Sequence, residues 1–529
     1  MIKIEDLSVA FGSTEVVKHV SLDLADGEIL GVVGESGSGK SVTALTLMGL
    51  AADTARVTTG RILFDDVVLQ QAGRPCPRAL YREYQGARMS MVFQEPMTSL
   101  NPSQKVGRQV EEVLRLHSRL PREERRKKVL ETFAAVGLGE AERVYASYPH
   151  QLSGGMRQRV MIAMAVILHP RLIVADEPTT ALDVTIQTQI IELLRQINRE
   201  QKNAMLFITH DLNLARRICR RVAVMKDGCV VEQGTAEEIF EHPQQEYTRR
   251  LIEAVPGRKK KIQVCEKEEI QGRKPGENFR DQTPVLQVKK LSVYYQDGGN
   301  RFWRREKQCA VQEADFAVYP GEILGLVGES GCGKTSLSKA ILGVNCLTQG
   351  EISHNSVRPQ MIFQDPYSSL NPSKTIGWLL QEPLRAAGAL DRSLAMTGGD
   401  REAAAYDMLR RVGMDEKYFH RKPSQLSGGQ RQRVSIGQAL ITKPGFLVAD
   451  EPVSALDVTI QAQIMELLQR LQQELRLAIL FISHDINVVY QMCDRIMVMK
   501  EGRIIEMGDT EEIFSHPREE YTKLLLRSS

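Results

Sequence analysis

The octapeptide Gly34-Glu35-Ser36-Gly37-Ser38-Gly39-Lys40-Ser41 returns as Gly328-Glu329-Ser330-Gly331-Cys332-Gly333-Lys334-Thr335, and this pair decides the fold. Both copies fit the pattern G-x-x-x-x-G-K-[ST], and both follow an apolar run, residues 28–33 in the first case. Such a run reads as a buried strand feeding a glycine-rich turn and then a helix. The glycines let backbone N–H groups cradle phosphates, and the helix N-terminus adds positive partial charge. In this pattern Lys40 and Lys334 reach the β- and γ-phosphates of a nucleotide, and Ser41 and Thr335 supply a hydroxyl to Mg²⁺. One match arises by chance in unrelated chains; two, each after an apolar strand, leave little room for a purely structural role.

Working outward, the rest of the chain repeats in the same order. Val92-Phe93-Gln94-Glu95-Pro96 returns as Ile362-Phe363-Gln364-Asp365-Pro366, and Leu152-Ser153-Gly154-Gly155 as Leu426-Ser427-Gly428-Gly429. Asp176-Glu177-Pro178 returns as Asp450-Glu451-Pro452, and His210 as His484. The first two motifs lie 24 residues closer together in the second half. A period this long means two whole domains rather than a solenoid. They are placed at residues 1–256 and 284–529, joined by a charged linker, 257–283, that begins Gly257-Arg258-Lys259-Lys260-Lys261 and lacks apolar periodicity. Further apolar runs at 171–176 and 205–210 end in polar residues, and segments 184–201 and 458–475 have helical spacing. Buried strands alternating with helices predict an α/β fold with a mainly parallel sheet, whose ligands sit at the carboxyl ends of the strands.

The remaining motifs carry chemistry in that setting. Asp176 and Asp450, at the ends of apolar strands, suit Mg²⁺ coordination. Glu177 and Glu451 stand one residue on, placed to orient or deprotonate an attacking water. The Ser-Gly-Gly turns at 153–155 and 427–429 precede long helices and suit an anion held by backbone N–H groups and a hydroxyl, although a plain helix cap has the same look.

Composition sets the outer bounds. The 529 residues are 42% hydrophobic and 26% charged, as expected of a globular protein. A net charge of +3 over that length gives no support for a coat that binds nucleic acid or a membrane surface. The mean hydropathy is −0.26 and no apolar run approaches the ~18–20 residues that span a bilayer. The start, Met1 to Asp6, carries no apolar signal-peptide core. A chain that neither crosses a membrane nor is secreted is expected, with docking onto a membrane protein left open. Eight cysteines, Cys76, Cys219, Cys229, Cys265, Cys309, Cys332, Cys346 and Cys493, include no CxxC pair, so reduced thiols are expected instead of a zinc or redox centre.

With these motifs in place the chain resembles the ABC-type ATPase family over nearly all of both halves. The resemblance implies two tandem P-loop NTPase domains, each a mainly parallel sheet core with a helical subdomain, that bind ATP and Mg²⁺. It assigns Gln94 and Gln364 as Q-loop residues near the metal. Ala181-Leu182-Asp183 and Ala455-Leu456-Asp457 match the D-loops, and His210 and His484 the catalytic H-loops. Phe11 and Tyr295, after matching Leu-Ser-Val openings, look like the adenine-stacking aromatics, with Tyr294 as a competitor. It further implies head-to-tail pairing of the halves, so that Lys40 and Glu177 join Ser427 and Lys334 and Glu451 join Ser153, with both sites hydrolysing.

Finer resemblance points to the oligopeptide, dipeptide and nickel importers. It rests on Gln94-Glu95-Pro96-Met97-Thr98-Ser99-Leu100-Asn101-Pro102, its counterpart at 364–372, and the endings His242-Pro243…Tyr247-Thr248 and His516-Pro517…Tyr521-Thr522. The pore would then be two separate transmembrane permease subunits, contacted through segments near 95–150 and 365–425. An extracytoplasmic binding protein would deliver a peptide, glutathione-like or metal-chelate solute. The chain would sit peripherally on the cytoplasmic face of the inner membrane, with no nucleic-acid partner. Some members carry a cysteine cluster for an iron–sulfur centre; only Cys265 follows the first core here, so none is expected. An insertion near 297–308, with three arginines and two aromatics, is read as a surface loop. The rival reading is a soluble tandem ABC ATPase acting on ribosomes or DNA. Against it stand the short linker with Pro275 and Gly276, the lack of CxxC pairs and the near-neutral charge.

Overall fold

The computed structural model describes residues 2–179, 182, 184–255, 282–296, 307–329, 331–344, 348–355, 359–365, 369–390, 395–454 and 456–528. Ser330, Ala181, Asp183, Ala455, most of the linker and most of the insertion near 297–308 lie outside them. The chain divides near Val255 into two compact units, each with two sheets.

In the first unit β1 (Ile2–Phe11), β2 (Thr14–Leu24), β4 (Ala55–Phe64) and β5 (Val67–Gln71) form an antiparallel sheet in the order β2-β1-β4-β5. The second sheet runs β10-β9-β3-β8-β7-β6, from β3 (Ile29–Val33), β6 (Met89–Val92), β7 (Leu172–Asp176), β8 (Ala204–Thr209), β9 (Arg221–Lys226) and β10 (Cys229–Thr235). Every pair in it is parallel except the outer β9–β10.

Period-two alternation explains the unbroken apolar runs. Ile29 and Val33 join a core with Ile173, Ala175 and Phe207 and with helical residues such as Val110, Phe133 and Val160. Leu30 and Val32, on the other face, join Val174 and Ile208 and the antiparallel-sheet residues Ile4, Leu7 and Val9. Both faces are covered, so every position must be apolar, and each buried aliphatic side chain contributes about 1.5–3 kcal/mol. The helices Val106–His117, Arg122–Ala135, Gly154–Val166, Val184–Gln201 and Leu212–Ile218 all contribute to that helical side.

The second unit repeats the plan. Its antiparallel sheet is β12-β11-β14, from β11 (Leu286–Gln296), β12 (Lys307–Val318) and β14 (Thr348–His354). Its mainly parallel sheet runs β15-β16-β17-β13-β18-β19, from β13 (Ile323–Val327), β15 (Gln360–Ile362), β16 (Phe446–Asp450), β17 (Ala478–Ile482), β18 (Arg495–Lys500) and β19 (Arg503–Asp509). The 24-residue difference has a location: between β4 and β6 the first unit carries β5 and the helix Arg78–Tyr84, whereas β14 and β15 are joined by a short connection. The helices predicted at 184–201 and 458–475 form as Val184–Gln201 and Val458–Leu475.

Candidate functional site

Because β3, β6, β7 and β8 are parallel, their carboxyl ends share one edge, and the predicted residues gather there. The phosphate loop leaves β3 and enters the helix Lys40–Leu47, with Gly39 at its N-cap in the left-handed region (φ 98°). At Gly34 a Cβ would stand 2.2 Å from the Met225 carbonyl oxygen, and at Gly328 it would stand 2.3 Å from that of Met499. Only glycine lets the loop pass so close to the neighbouring strand.

Lys40 folds back over its own loop. Nζ donates to the carbonyl oxygens of Gly34 and Glu35, each at 2.8 Å, and to Ser38 Oγ at 3.4 Å. Lys334 does the same to Gly328 (2.7 Å) and Glu329 (2.8 Å), with Cys332 Sγ at 3.9 Å in the serine's place. Burial pulls the Lys40 ammonium below its ordinary value, against the opposing charges of Glu177 and Asp176.

The carboxylates stand beside this loop. Asp176 and Asp450 are buried at the ends of β7 and β16. Ser41 Oγ donates to Asp176 Oδ1 at 3.1 Å, and the Thr335 hydroxyl bonds to Asp450. Burial pushes Asp176 up to about 6; Glu177 adds to the rise, and the Ser41 bond and Lys40 oppose it. Burial and Glu451 likewise raise Asp450. A desolvated carboxylate beside a hydroxyl is a set of hard oxygen donors short of positive charge, and it fits Mg²⁺. Among the described residues no group of three or more His, Cys, Asp or Glu is placed to hold a metal ion.

Glu177 and Glu451 adopt left-handed backbone conformations (φ 46° and 47°), at a cost of about 1 kcal/mol or more for a non-glycine residue. Their N–H groups donate to Ile208 and Ile482 carbonyls at 2.9 Å, pinning the bend to the adjacent strand. Gln94 Nε2 donates to Glu177 Oε2 at 2.9 Å, and His210 Nδ1 lies 3.1 Å from the same oxygen. In the second unit Gln364 Nε2 donates to Glu451 Oε2 at 2.8 Å, and His484 Nδ1 is 3.3 Å from Oε1. Burial disfavours a charged imidazole, but the bonds to Glu177 and Glu451 and their charges prevail, so both histidines titrate above their ordinary value. Glu451 is held below its own, with His484 and Lys334 outweighing burial.

The histidines are fixed by the next turn. Asp211 caps the helix Leu212–Ile218 by accepting from Asn213 and Leu214 N–H, while its own N–H donates to Thr209 Oγ1 at 3.0 Å. Asp485 and Ser483 reproduce this around His484.

The Ser-Gly-Gly turns open helices. Ser153 and Ser427 cap the helices Gly154–Val166 and Gly428–Leu440, accepting from Met156 and Gln430 N–H. Gly155 and Gly429 are set by crowding: a Cβ would meet Ile186 at 2.7 Å and Ile460 at 2.5 Å. Phe11 ends β1, half-buried. Tyr295 is 40% exposed and its hydroxyl bonds Ser336 Oγ at 3.1 Å, beside the phosphate-loop helix, whereas Tyr294 bonds Gln349 on β14.

Two residues escaped the sequence reading as site residues. The hydroxyl oxygen of Tyr247 accepts from Glu35 N–H at 3.4 Å, and that of Tyr521 from Glu329 N–H at 3.1 Å. Their matching Tyr-Thr contexts were the available signal.

The chain is similar to known proteins over its whole length. The ABC transporter family profile matches residues 17–180 and 311–454, and that of the oligopeptide/dipeptide transporter C-terminal region matches 231–282 and 505–529. The chain is 41% identical over 550 residues to the peptidoglycan transport ATP-binding protein YejF of Agrobacterium fabrum (strain C58), covering 100% of this chain and 96% of that one. It is 41% identical over 563 residues to the glutathione import ATP-binding protein GsiA of Escherichia coli (strain K12), covering 99% and 89%. A crystal structure of the complex of archaeal ribosomal stalk protein aP1 and the ribosome recycling factor aABCE1 matches with a TM-score of 0.62 and 20% identity over 96% of this chain and 90% of that one, a likeness of fold alone. The chain belongs to the ABC transporter family, with two α/β ATP-binding domains in tandem. Within it, the chain is an ATP-hydrolysing subunit of the importer type, and each half carries the oligopeptide/dipeptide transporter C-terminal region.

Proposed function

We propose that this chain couples ATP hydrolysis to import of a peptide or peptide-like solute through two separate permease subunits, fed by an extracytoplasmic binding protein. The observation that carries the reading is the oligopeptide/dipeptide C-terminal region in both halves of a chain that aligns end to end with named import and transport ATP-binding proteins. Those names favour a peptide-like cargo over nickel or a metal chelate. Among the described residues no helix is long and apolar enough to cross a membrane, which suits peripheral attachment at the cytoplasmic face. We take 1–256 and 284–529 as the two domains and 257–283 as their linker.

In each half the main-chain N–H groups of the phosphate loop bind the nucleotide phosphates, and Lys40 or Lys334 leaves its carbonyls to join them. Ser41, Asp176 and Gln94, and Thr335, Asp450 and Gln364, would hold Mg²⁺, which neutralises charge on the β- and γ-oxygens when bound. Glu177 and Glu451 accept the proton of the attacking water. Gln94 and His210, and Gln364 and His484, hold those carboxylates in one orientation. Phe11 and Tyr295 stack on the adenine. The family resemblance pairs Ser427-Gly428-Gly429 with the Lys40 site and Ser153-Gly154-Gly155 with the Lys334 site.

The test is affinity purification of the full chain from membranes, with mass spectrometry of what accompanies it. Two multi-span permeases support the assignment; ribosomes or DNA-bound complexes with no permease would sink it.

A further inference from the structure

The second residue of each phosphate loop is held from both sides. Lys40 Nζ binds the Glu35 carbonyl, and the Tyr247 hydroxyl oxygen accepts the Glu35 N–H. Glu329 is held in the same way by Lys334 and Tyr521. Neither tyrosine belongs to the nucleotide core. Tyr247 lies on the helix Glu246–Glu253 and Tyr521 on Glu520–Ser528, both in the region matched by the oligopeptide/dipeptide C-terminal profile.

These helices are fastened at several points. Before the first, the Glu232 carboxylate accepts from Gln244 N–H (2.7 Å) and Gln245 N–H (3.1 Å). Before the second, Glu506 accepts from Arg518 N–H (2.8 Å), Glu519 N–H (3.2 Å) and the Thr522 hydroxyl. Lys226 Nζ sits 4.7 Å over the Tyr247 ring and Lys500 Nζ 5.1 Å over that of Tyr521. Those lysines end β9 and β18, the strands beside β3 and β13 from which the phosphate loops emerge. Burial pushes the Tyr247 phenol up to about 12, so it stays a neutral hydroxyl at physiological pH.

When phosphates recruit the lysine, the Gly34 and Glu35 carbonyls lose their charged donor, and the tyrosine bond still holds the peptide from outside the loop. We infer that Tyr247 and Tyr521 are positioning residues of the two ATP sites: each fixes the start of its phosphate loop for nucleotide, and so makes the C-terminal region part of the ATP site of its own half. The inference rests on both halves binding ATP.

The experiment uses the full chain carrying Tyr247→Phe, Tyr521→Phe or both, which removes a hydroxyl and leaves ring and packing in place. ATPase kinetics, equilibrium binding of Mg-ATP and nucleotide-free thermal unfolding are measured together. For the double variant KM and Kd are expected to rise about three- to tenfold, the effect of losing one neutral hydrogen bond per site. kcat should stay within about twofold and the unfolding temperature should not move. Thr522→Val, which loosens the second helix without touching the tyrosine, should raise KM in the same direction. Unchanged KM and Kd in the double variant overturn the inference, as does a fall in unfolding temperature with KM unchanged. Failure of the wild-type chain to bind ATP would instead sink the reading of the halves as ATP sites.

Discussion

In the first half Ser38 Oγ lies 3.4 Å from the Lys40 ammonium; in the second, Cys332 Sγ occupies that place at 3.9 Å from Lys334. The first half adds β5 and the helix Arg78–Tyr84 to its antiparallel sheet, and the second lacks both among its described residues. Ser427 and Gln430 close a reciprocal capping box, whereas the first half places Met156 there and keeps only the serine bond. Against these differences the glutamine, glutamate and histidine keep the same partners and a left-handed φ of 46° and 47°, although His210 meets the carboxylate oxygen that Gln94 bonds and His484 meets the other one. The substitutions leave the partners of each carboxylate unchanged. That pattern argues for two working hydrolytic sites rather than one working and one vestigial.

The largest effect that could break this comparison is expected at the two glutamates proposed to accept the proton of the attacking water. Glu177→Gln and Glu451→Gln should each remove about half or more of the phosphate release by the full chain, and the double variant should cut it by about 10²-fold, the ordinary scale for removing such a group. If one variant turns over near the wild-type rate, the halves are unequal and the argument from geometry fails.

A smaller effect tests the anchor of the C-terminal region. Glu506 lies below its ordinary value of 4.5: burial would raise it, but the bonds from Thr522, Arg518 and Glu519 outweigh burial. A depressed carboxylate stabilises the fold above its unfolded value and loses that contribution as pH falls through the folded one. Glu506→Gln should therefore lower the unfolding temperature at pH 7, and the gap from wild type should narrow as pH drops below 4.5. A gap that is constant with pH would mean that packing, not charge, anchors the helix. Glu232 is depressed in the same manner and offers the matching test in the first half.

The smallest effect is expected at the most visible difference. Burial raises the Cys332 thiol above its ordinary value, so it is neutral and unreactive, a near-isostere of Ser38. Cys332→Ser should change KM for ATP by less than about twofold, since the Lys334 contacts that matter are to carbonyls. A larger shift in ATPase kinetics would show that the two loops are tuned apart.

Much of this architecture was legible in the sequence because it is local and repeated. The phosphate loops, the strands ending in Asp176 and Asp450, and the helices at 184–201 and 458–475 each declare themselves within a few residues. What was not legible depends on contacts between distant segments. Tyr247 and Glu35 stand 212 residues apart, and the repeated Tyr-Thr context marks the tyrosine without naming its partner. Asp176's elevation to about 6 is set by burial, which a sequence states only loosely. The 24-residue difference was countable, but that it consists of a strand and a helix on the antiparallel sheet required coordinates.

The folded-back lysine has a consequence for ligand choice. Two backbone carbonyls, each 2.8 Å from the Lys40 ammonium, compete with nucleotide phosphates for it. A molecule that cannot present oxygens where the lysine would travel gains nothing from it, and the ammonium stays where it is.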